Sequence, residues 1–230
     1  MARRTKEDAL ETRGLILDTA ERVFYDKGVS RTSLADIAEA AGVSRGAIYW
    51  HFKNKCELFN AMFDRVVLPM DELMGEAPTA HDPLGQMRRA MIDCLCSIAE
   101  DPRRTRIFSV LFHKCELTHE MGPLFERHRA HQTRAREQIE AKLRRAIEAG
   151  QLPAELNTAH AAAMLHAQLG GLVNDWLFSP ESLDLASSAA CYIDAFVEMM
   201  KVSRALRLTP PVAHRERVEA AHTEEALARP

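Results

Sequence analysis

The period of the apolar residues constrains this chain more than any other feature. They recur at three- and four-residue steps almost throughout, and no stretch shows the two-residue alternation of a half-buried strand. Ile16, Leu17, Ala20, Val23 and Phe24 set the first stripe and predict a helix over 6–27. Gly28 closes it, because glycine accepts the left-handed conformation found just past helix ends. Ser33, with Asp36 three residues on, offers a capping box for a short helix whose apolar face is Leu34, Ile37, Ala38 and Ala41. Gly42 breaks that helix, Ser44 caps another that ends near 51, and Asn54 caps a longer one over 55–74. Gly75, Pro78 and Pro83 mark a change of segment. Further helices are predicted over 84–99, 103–113, 123–149, 158–178 and 183–206. The expected fold is all-α, with a compact helical unit over 1–54 and a larger helical bundle over 55–208. The charged, Ala-rich stretch 209–230 is expected to be a mobile tail.

Composition narrows the function. At 47% hydrophobic and 27% charged, 230 residues can bury a real core, and the low aromatic share of 6% suits helices. A net charge of −3 means that any nucleic-acid contact must use a local patch. The cysteines number five and include no C-x-x-C pair, which points to a reducing, cytoplasmic setting. The start, MARRTKEDALETR, lacks the apolar core of a signal peptide. The most apolar stretch, 159–178, carries His160, His166, Gln168, Asn174 and Asp175, so no membrane partner is expected.

No phosphate-binding loop, nucleophile elbow or dinucleotide fingerprint is present, and the chain reads as a non-enzyme without a cofactor. His113, Glu116 and His119 follow a 3-3 spacing that wraps poorly around one helix face, so no metal site is expected. His128 and His131 lie among Arg127, Arg129, Arg134 and Arg136 and read as a solvated basic face.

Residues 33–52, SLADIAEAAGVSRGAIYWHF, have the layout of a helix-turn-helix: two short helices around a tight turn carrying Gly42. Ile48 faces the core, while Arg45, Gly46 and Tyr49 face away from it. Gly46 lets the helix approach a groove floor, and Arg45 can fork onto a guanine edge or grip a phosphate. Tyr49, Trp50, His51, Phe52, Lys53 and Lys55 crowd one end of the element, with Phe52 expected in the core.

The segment TRGLILDTAERVFYDKGVSRTSLADIAEAAGVSRGAIYWHFKNKCELF (12–59) resembles the N-terminal signature of the TetR family of bacterial transcriptional regulators. DPLGQMRR (82–89), LFHKCELTHEM (111–121) and GLVNDWLFSPESLDL (171–185) resemble its AcrR-like and TtgR-like multidrug-efflux repressors. The resemblance implies a homodimer that binds double-stranded DNA at a palindromic operator and is released by a small lipophilic or aromatic inducer. It places DNA contact on Thr32, Ser33, Ser44, Arg45, Gly46, Tyr49, His51 and Lys55. Arg45 is the first choice for base readout, and Tyr49, His51 and Lys55 for phosphate. Arg3, Arg4 and Lys6 are read as a basic arm or a solvated terminus.

It also implies a ligand cavity lined by Val66, Met70, Ala90, Met91, Cys94, Phe108, Phe112, Ile139, His166, Leu169, Gly170, Val173 and Asn174. TtgR-like sequences carry a polar residue, an imidazole and a carboxylate where this chain has Phe108, Phe112 and Gly170. AcrR is acidic at the position of Val67. These departures favour neutral or amphiphilic aromatic molecules over dications. The small residues Ala161, Ala162, Ala163, Gly170 and Gly171, with Ala186, Ala189 and Ala190, suit close helix pairing across a two-fold axis. The helix over 55–74 is expected to couple the cavity to the DNA end through Val66 and Met70. Control of other genes, activation, and redox sensing through Cys94, Cys96 and Cys115 stay open as alternatives.

Overall fold

The computed structural model describes residues 2–74, 82–115 and 122–208, the side chains at 2–5, 68–74, 123 and 125 apart. The expected tail over 209–230 lies outside the described residues, as do Gly75, Pro78, Glu116 and His119. The helices are α1 (Ala2–Lys27), α2 (Leu34–Ala40), α3 (Arg45–His51), α4 (Lys55–Met74), α5 (Pro83–Glu100), α6 (Pro102–Ser109), α7 (Gly122–Glu148), α8 (Thr158–Phe178) and α9 (Leu185–Val202). Among the described residues there is no strand, only an isolated bridge between Leu156 and Arg207. The fold is all-α.

Side-chain caps set the short helices. Ser33 Oγ accepts the Asp36 amide at 3.1 Å, and Asp36 accepts the Ser33 amide at 2.8 Å. Ser44 Oγ accepts the Ala47 amide at 3.1 Å, and Asn54 Oδ1 accepts the Glu57 amide at 2.9 Å. Gly28 and Gly42 take φ of 83° and 66°, as the turns after α1 and α2 require.

Three boundaries differ from expectation. α1 begins at Ala2, so Arg3 and Arg4 belong to a helix instead of a free arm. The helix expected over 103–113 divides into α6 and a wider π turn, Val110–Lys114. Asp184 accepts the Ser187 amide at 3.0 Å and so starts α9 later than expected, and the end becomes a 3₁₀ turn, Arg204–Leu206.

Two apolar clusters form. Residues of α1 to α3 pack with Leu58, Phe59, Met62, Phe63, Val66 and Val67 of α4, so one cluster runs across the boundary expected at 54/55. Ile107 of α6 and Val110 of the π turn insert into this same cluster. The second cluster joins α5, α7, α8 and α9. Arg88 of α5 grips Asp194 of α9 with both Nε and Nη2, tying together the most extensively packed helix pair. Phe108 touches both clusters.

Candidate DNA-binding surface and ligand cavity

α2 and α3 form a helix-turn-helix. Ile48 is fully buried against the cluster below, which turns the other side of α3 outward. Arg45 and Gly46 are exposed there, and Tyr49 stands 55% exposed. Ser33 and Ser44 are exposed too, each with its hydroxyl engaged at a helix N-terminus.

Three expected contacts are placed differently. Thr32 is buried, and its hydroxyl donates to the Gly28 carbonyl at 2.8 Å. His51 is half-buried, its ring edge-on to Trp50 at 4.5 Å between centroids. Burial, and then the charge of Arg13, push the His51 imidazole below its ordinary range. Lys55 Nζ donates to the carbonyls of Val29 at 2.8 Å and Ser30 at 3.3 Å. Two of the three ammonium hydrogens therefore hold the turn after α1, and Lys55 acts first as a brace. Trp50, not among the expected contacts, is 74% exposed on the same helix. Its neighbour Phe52 fills the core beneath the guanidinium of Arg13, 5.2 Å from the ring centroid. An aromatic ring is ordinarily read as core, so only an assignment of helical phase at Trp50 separates the two.

Within the bundle lies a cavity of about 320 Å³, in the size range of small-molecule sites. Of the residues implied by the resemblance, Met91, Cys94, Phe108, Phe112, Ile139, His166, Leu169, Gly170 and Val173 line it. Phe108 and Phe112 stack with centroids 6.4 Å apart, and Phe63 meets Phe108 edge-on at 6.2 Å. Burial pushes the Cys94 thiol up to about 12.

Among the described residues, three implied ones are not brought to the wall. Val66 turns into the cluster of α1 to α4, and α4 instead shows Phe63 and Val67 to the cavity. Residues 63 and 67 share a helical face, and 66 falls on the face of 59 and 62. Ala90 stands one position off the α5 stripe of Met91, Cys94, Leu95 and Ile98. Asn174 is engaged elsewhere, its Oδ1 lying 3.2 Å from His113 Nε2. The side chain of Met70 lies outside the described residues.

The wall also holds residues that the sequence reading missed. His128, His131, Gln132, Ala135 and Gln138 of α7 face the cavity, so His128 and His131 are not a solvated surface. Their spacing of three, four and seven residues marks one helix face, but the adjacent arginines masked it. An adjoining cavity of about 300 Å³ shares Phe63, Val67, Leu111, His128 and His131 and adds Asp64, Arg127 and Arg134, with Asp64 and Arg127 in contact. Among the described residues no group of His, Cys, Asp and Glu is placed to hold a metal ion, and no helix is long and apolar enough to cross a membrane.

Cavity and helix-turn-helix meet at α6 and the π turn. Phe108, Leu111 and Phe112 line the cavity, while Ile107 and Val110 lie in the N-terminal cluster. Beside them Asp18 and Glu21 of α1 bind Arg65 of α4 and Arg103 of α6, at 2.6 to 3.3 Å. Burial raises the Glu21 carboxyl above its ordinary value despite both arginines.

A helix-turn-helix joined to a helical bundle with an internal cavity defines a ligand-responsive class of DNA-binding regulator. Residues 16–62 match the model of bacterial regulatory proteins of the tetR family, and residues 82–202 match the C-terminal region of MAATS-type transcriptional repressors. The chain belongs to the TetR family of transcriptional regulators. It is 43% identical to the regulator TtgR of Pseudomonas putida over 209 residues, covering 90% of this chain and 100% of TtgR. It is 42% identical to AcrR of Shigella flexneri, with 90% and 97% covered. The solved structure of NalD, secondary repressor of the MexAB-OprM multidrug efflux pump in Pseudomonas aeruginosa, superposes with a TM-score of 0.78 at 35% identity. That match covers 86% of this chain and 99% of NalD. The complex of SmeT with triclosan superposes with a TM-score of 0.77 at 32% identity, covering 87% and 97%.

Proposed function

We propose that this protein is a cytoplasmic repressor of a multidrug-efflux operon, bound as a homodimer to a palindromic operator and released by small lipophilic or aromatic compounds. The observation that carries this is the shared element: one stretch, 107–112, lines the cavity and also packs into the helix-turn-helix core. A compound that parts Phe108 and Phe112 moves Ile107 and Val110, and with them α1 and α4. Two recognition helices fit half-sites at one separation only, so a small rotation undoes simultaneous docking. Full release requires about 5.5 kcal/mol of differential ligand affinity, and weaker ligands give partial release. This route runs through α6 and the π turn in addition to α4, whose cavity contacts are Phe63 and Val67.

Arg45 is the base reader in this reading. Tyr49, Gly46, Ser33 and Ser44 complete the DNA face with His51, while Thr32 and Lys55 shape the turn behind it. The cavity residues touching ligand come from α4, α5, α6, the π turn, α7 and α8. α8 and α9 supply the dimer face, but not through the small residues expected to pair: Ala161, Ala162 and Ala189 are buried in the chain's own bundle, while Met164, Gly171 and Phe178 on one helix and Cys191, Ala195 and Val202 on the other are exposed at helical spacing. Efflux control is supported by the names of the relatives. Redox sensing is disfavoured, because burial holds the Cys94 and Cys96 thiols protonated.

Mobility-shift titration of the protein's own upstream region tests the reading. A shifted dimer complex that a lipophilic aromatic compound dissolves is the expected result. A protein that runs as a monomer and ignores this DNA at low salt overturns it.

A further inference from the structure

We propose that Glu21 is the positioning residue that couples the two units: its buried carboxylate clamps α6 and α4 to α1, and loss of its Arg103 contact forces α1 to turn. This rests on the reading of the protein as an inducer-released repressor and assigns the residue that passes the signal on.

The first observation is where the charge lies. Glu21 is 1% exposed, on the face of α1 that carries the buried Leu17, Ala20 and Phe24. A carboxylate in such surroundings is tolerated only with counter-charges beside it. Burial raises its carboxyl above the ordinary value even with Arg103 and Arg65 at hand.

The second is how the carboxylate is shared. Oε1 meets Arg65 of α4 at 3.0 Å, and Oε2 meets Arg103 of α6 at 3.3 Å. Each oxygen thus serves a different helix. Asp18, one turn back along α1, meets the same two guanidiniums through Oδ1 at 2.7 and 2.6 Å. Asp18 is 42% exposed and can fall back on water if an arginine leaves. Glu21 has no such recourse where it stands.

The third is what α6 carries. Arg106, one turn on from Arg103, adds its charge to the field on Glu21, and its Nε is buried without a hydrogen-bond partner. Both arginines belong to the helix on which Phe108 lines the cavity. A displacement of α6 therefore withdraws two counter-charges from Glu21 at once and leaves it with Arg65.

A carboxylate so stripped is driven toward water, and turning α1 is the way to reach it. Leu17 and Phe24 share a cluster with Leu34 and Ile37 of α2 and Ile48 of α3, so a turn of α1 unseats the recognition helix. The cost of the buried charge makes this step abrupt, because no intermediate position of α6 leaves Glu21 both buried and fully paired.

The test uses the full-length protein and its labelled upstream DNA, read by anisotropy, with N-phenyl-1-naphthylamine as a neutral fluorescent probe of the cavity. Arg103→Met should weaken DNA binding about tenfold or more while the probe still binds, which shows a folded bundle. Arg103→Lys, which keeps the cation, should stay within about threefold of wild type. Glu21→Gln should also hold DNA within about threefold, yet need about fivefold more probe for half-release at probe affinity no weaker than wild type. The double variant Glu21→Gln/Arg103→Met should recover DNA binding to within about threefold of wild type, a suppression that lost packing does not produce. An additive loss in the double variant overturns the coupling role and leaves the repressor reading standing. So does Arg103→Met with wild-type DNA affinity, or Glu21→Gln released by as little probe as wild type. Wild-type protein that ignores this DNA, or still holds it at saturating probe, overturns the inducer-released reading and the coupling with it.

Discussion

The backbone carbonyl of Lys114 accepts a hydrogen bond from the amide of Val29 at 2.9 Å. Val29 in turn accepts from Lys55 at 2.8 Å. The end of the cavity-lining π turn is thus linked through one residue, Val29, to the residue that starts α4 beside the recognition helix.

Gly28 sits at this link with φ of 83°, and a Cβ there would lie 3.5 Å from the Lys114 carbonyl. Gly28→Ala should cost about 1–2 kcal/mol through the left-handed backbone. Urea unfolding measures that cost. The inducer concentration for half-release of operator should shift by about twofold or more at unchanged cavity affinity.

Lys55→Met removes a brace at the turn. Stability should fall by about 1–3 kcal/mol, since charged hydrogen bonds to two carbonyls are lost. The slope of log Kd against log salt should stay near wild type. A slope smaller by about 0.9 would instead mark Lys55 as a phosphate contact.

Arg45→Ala should weaken operator binding by about 1–3 kcal/mol and relax preference at one base pair. Competition among single-base operator variants reads this directly. A uniform loss across all sequences would move Arg45 to the backbone.

Val67→Trp and Val66→Trp separate the two faces of α4. The first should fill the cavity and weaken binding of an aromatic probe, at a smaller cost in stability, since Val67 borders the cavity as well as the N-terminal cluster. The second overpacks the N-terminal cluster and should cost about 1–3 kcal/mol in thermal or urea unfolding.

Asp194 carries the pH prediction. Its hydrogen bonds and charge contact with Arg88 hold its carboxyl below the ordinary value of 3.8. The stabilisation is therefore complete above the ordinary value and lost as pH falls through the lower folded one. Asp194→Asn should lower the neutral-pH melting temperature slightly and flatten the acid limb of a melting-temperature profile. An unchanged profile would show the pair to be without effect, as many exposed pairs are.

Local signals settled most of the architecture before any packing was known. Ser33, Ser44 and Asn54 cap helices as their spacing implies, because a cap is a contact within four residues. Gly28 and Gly42 end helices where a side chain would strain the backbone. The helix-turn-helix with outward Arg45 and Tyr49 was legible for the same reason: it is a short-range arrangement with one period. The phase of α4 was not. Val66 and Val67 are adjacent and chemically identical, and only the cluster that α4 packs against decides which one meets the cavity.

By itself, then, the sequence determined the helix order, the caps and turns, the recognition unit and the family. All of these rest on contacts between near neighbours in the chain or on a contiguous motif. Tertiary structure alone decided that His128 and His131 face inward, that Trp50 faces outward, and that Lys55 is tied to the turn after α1. It also decided that α6 and the π turn belong to both clusters. Each of these depends on residues far apart in sequence meeting in space, and a helical stripe shows which side chains share a face without showing what that face will touch.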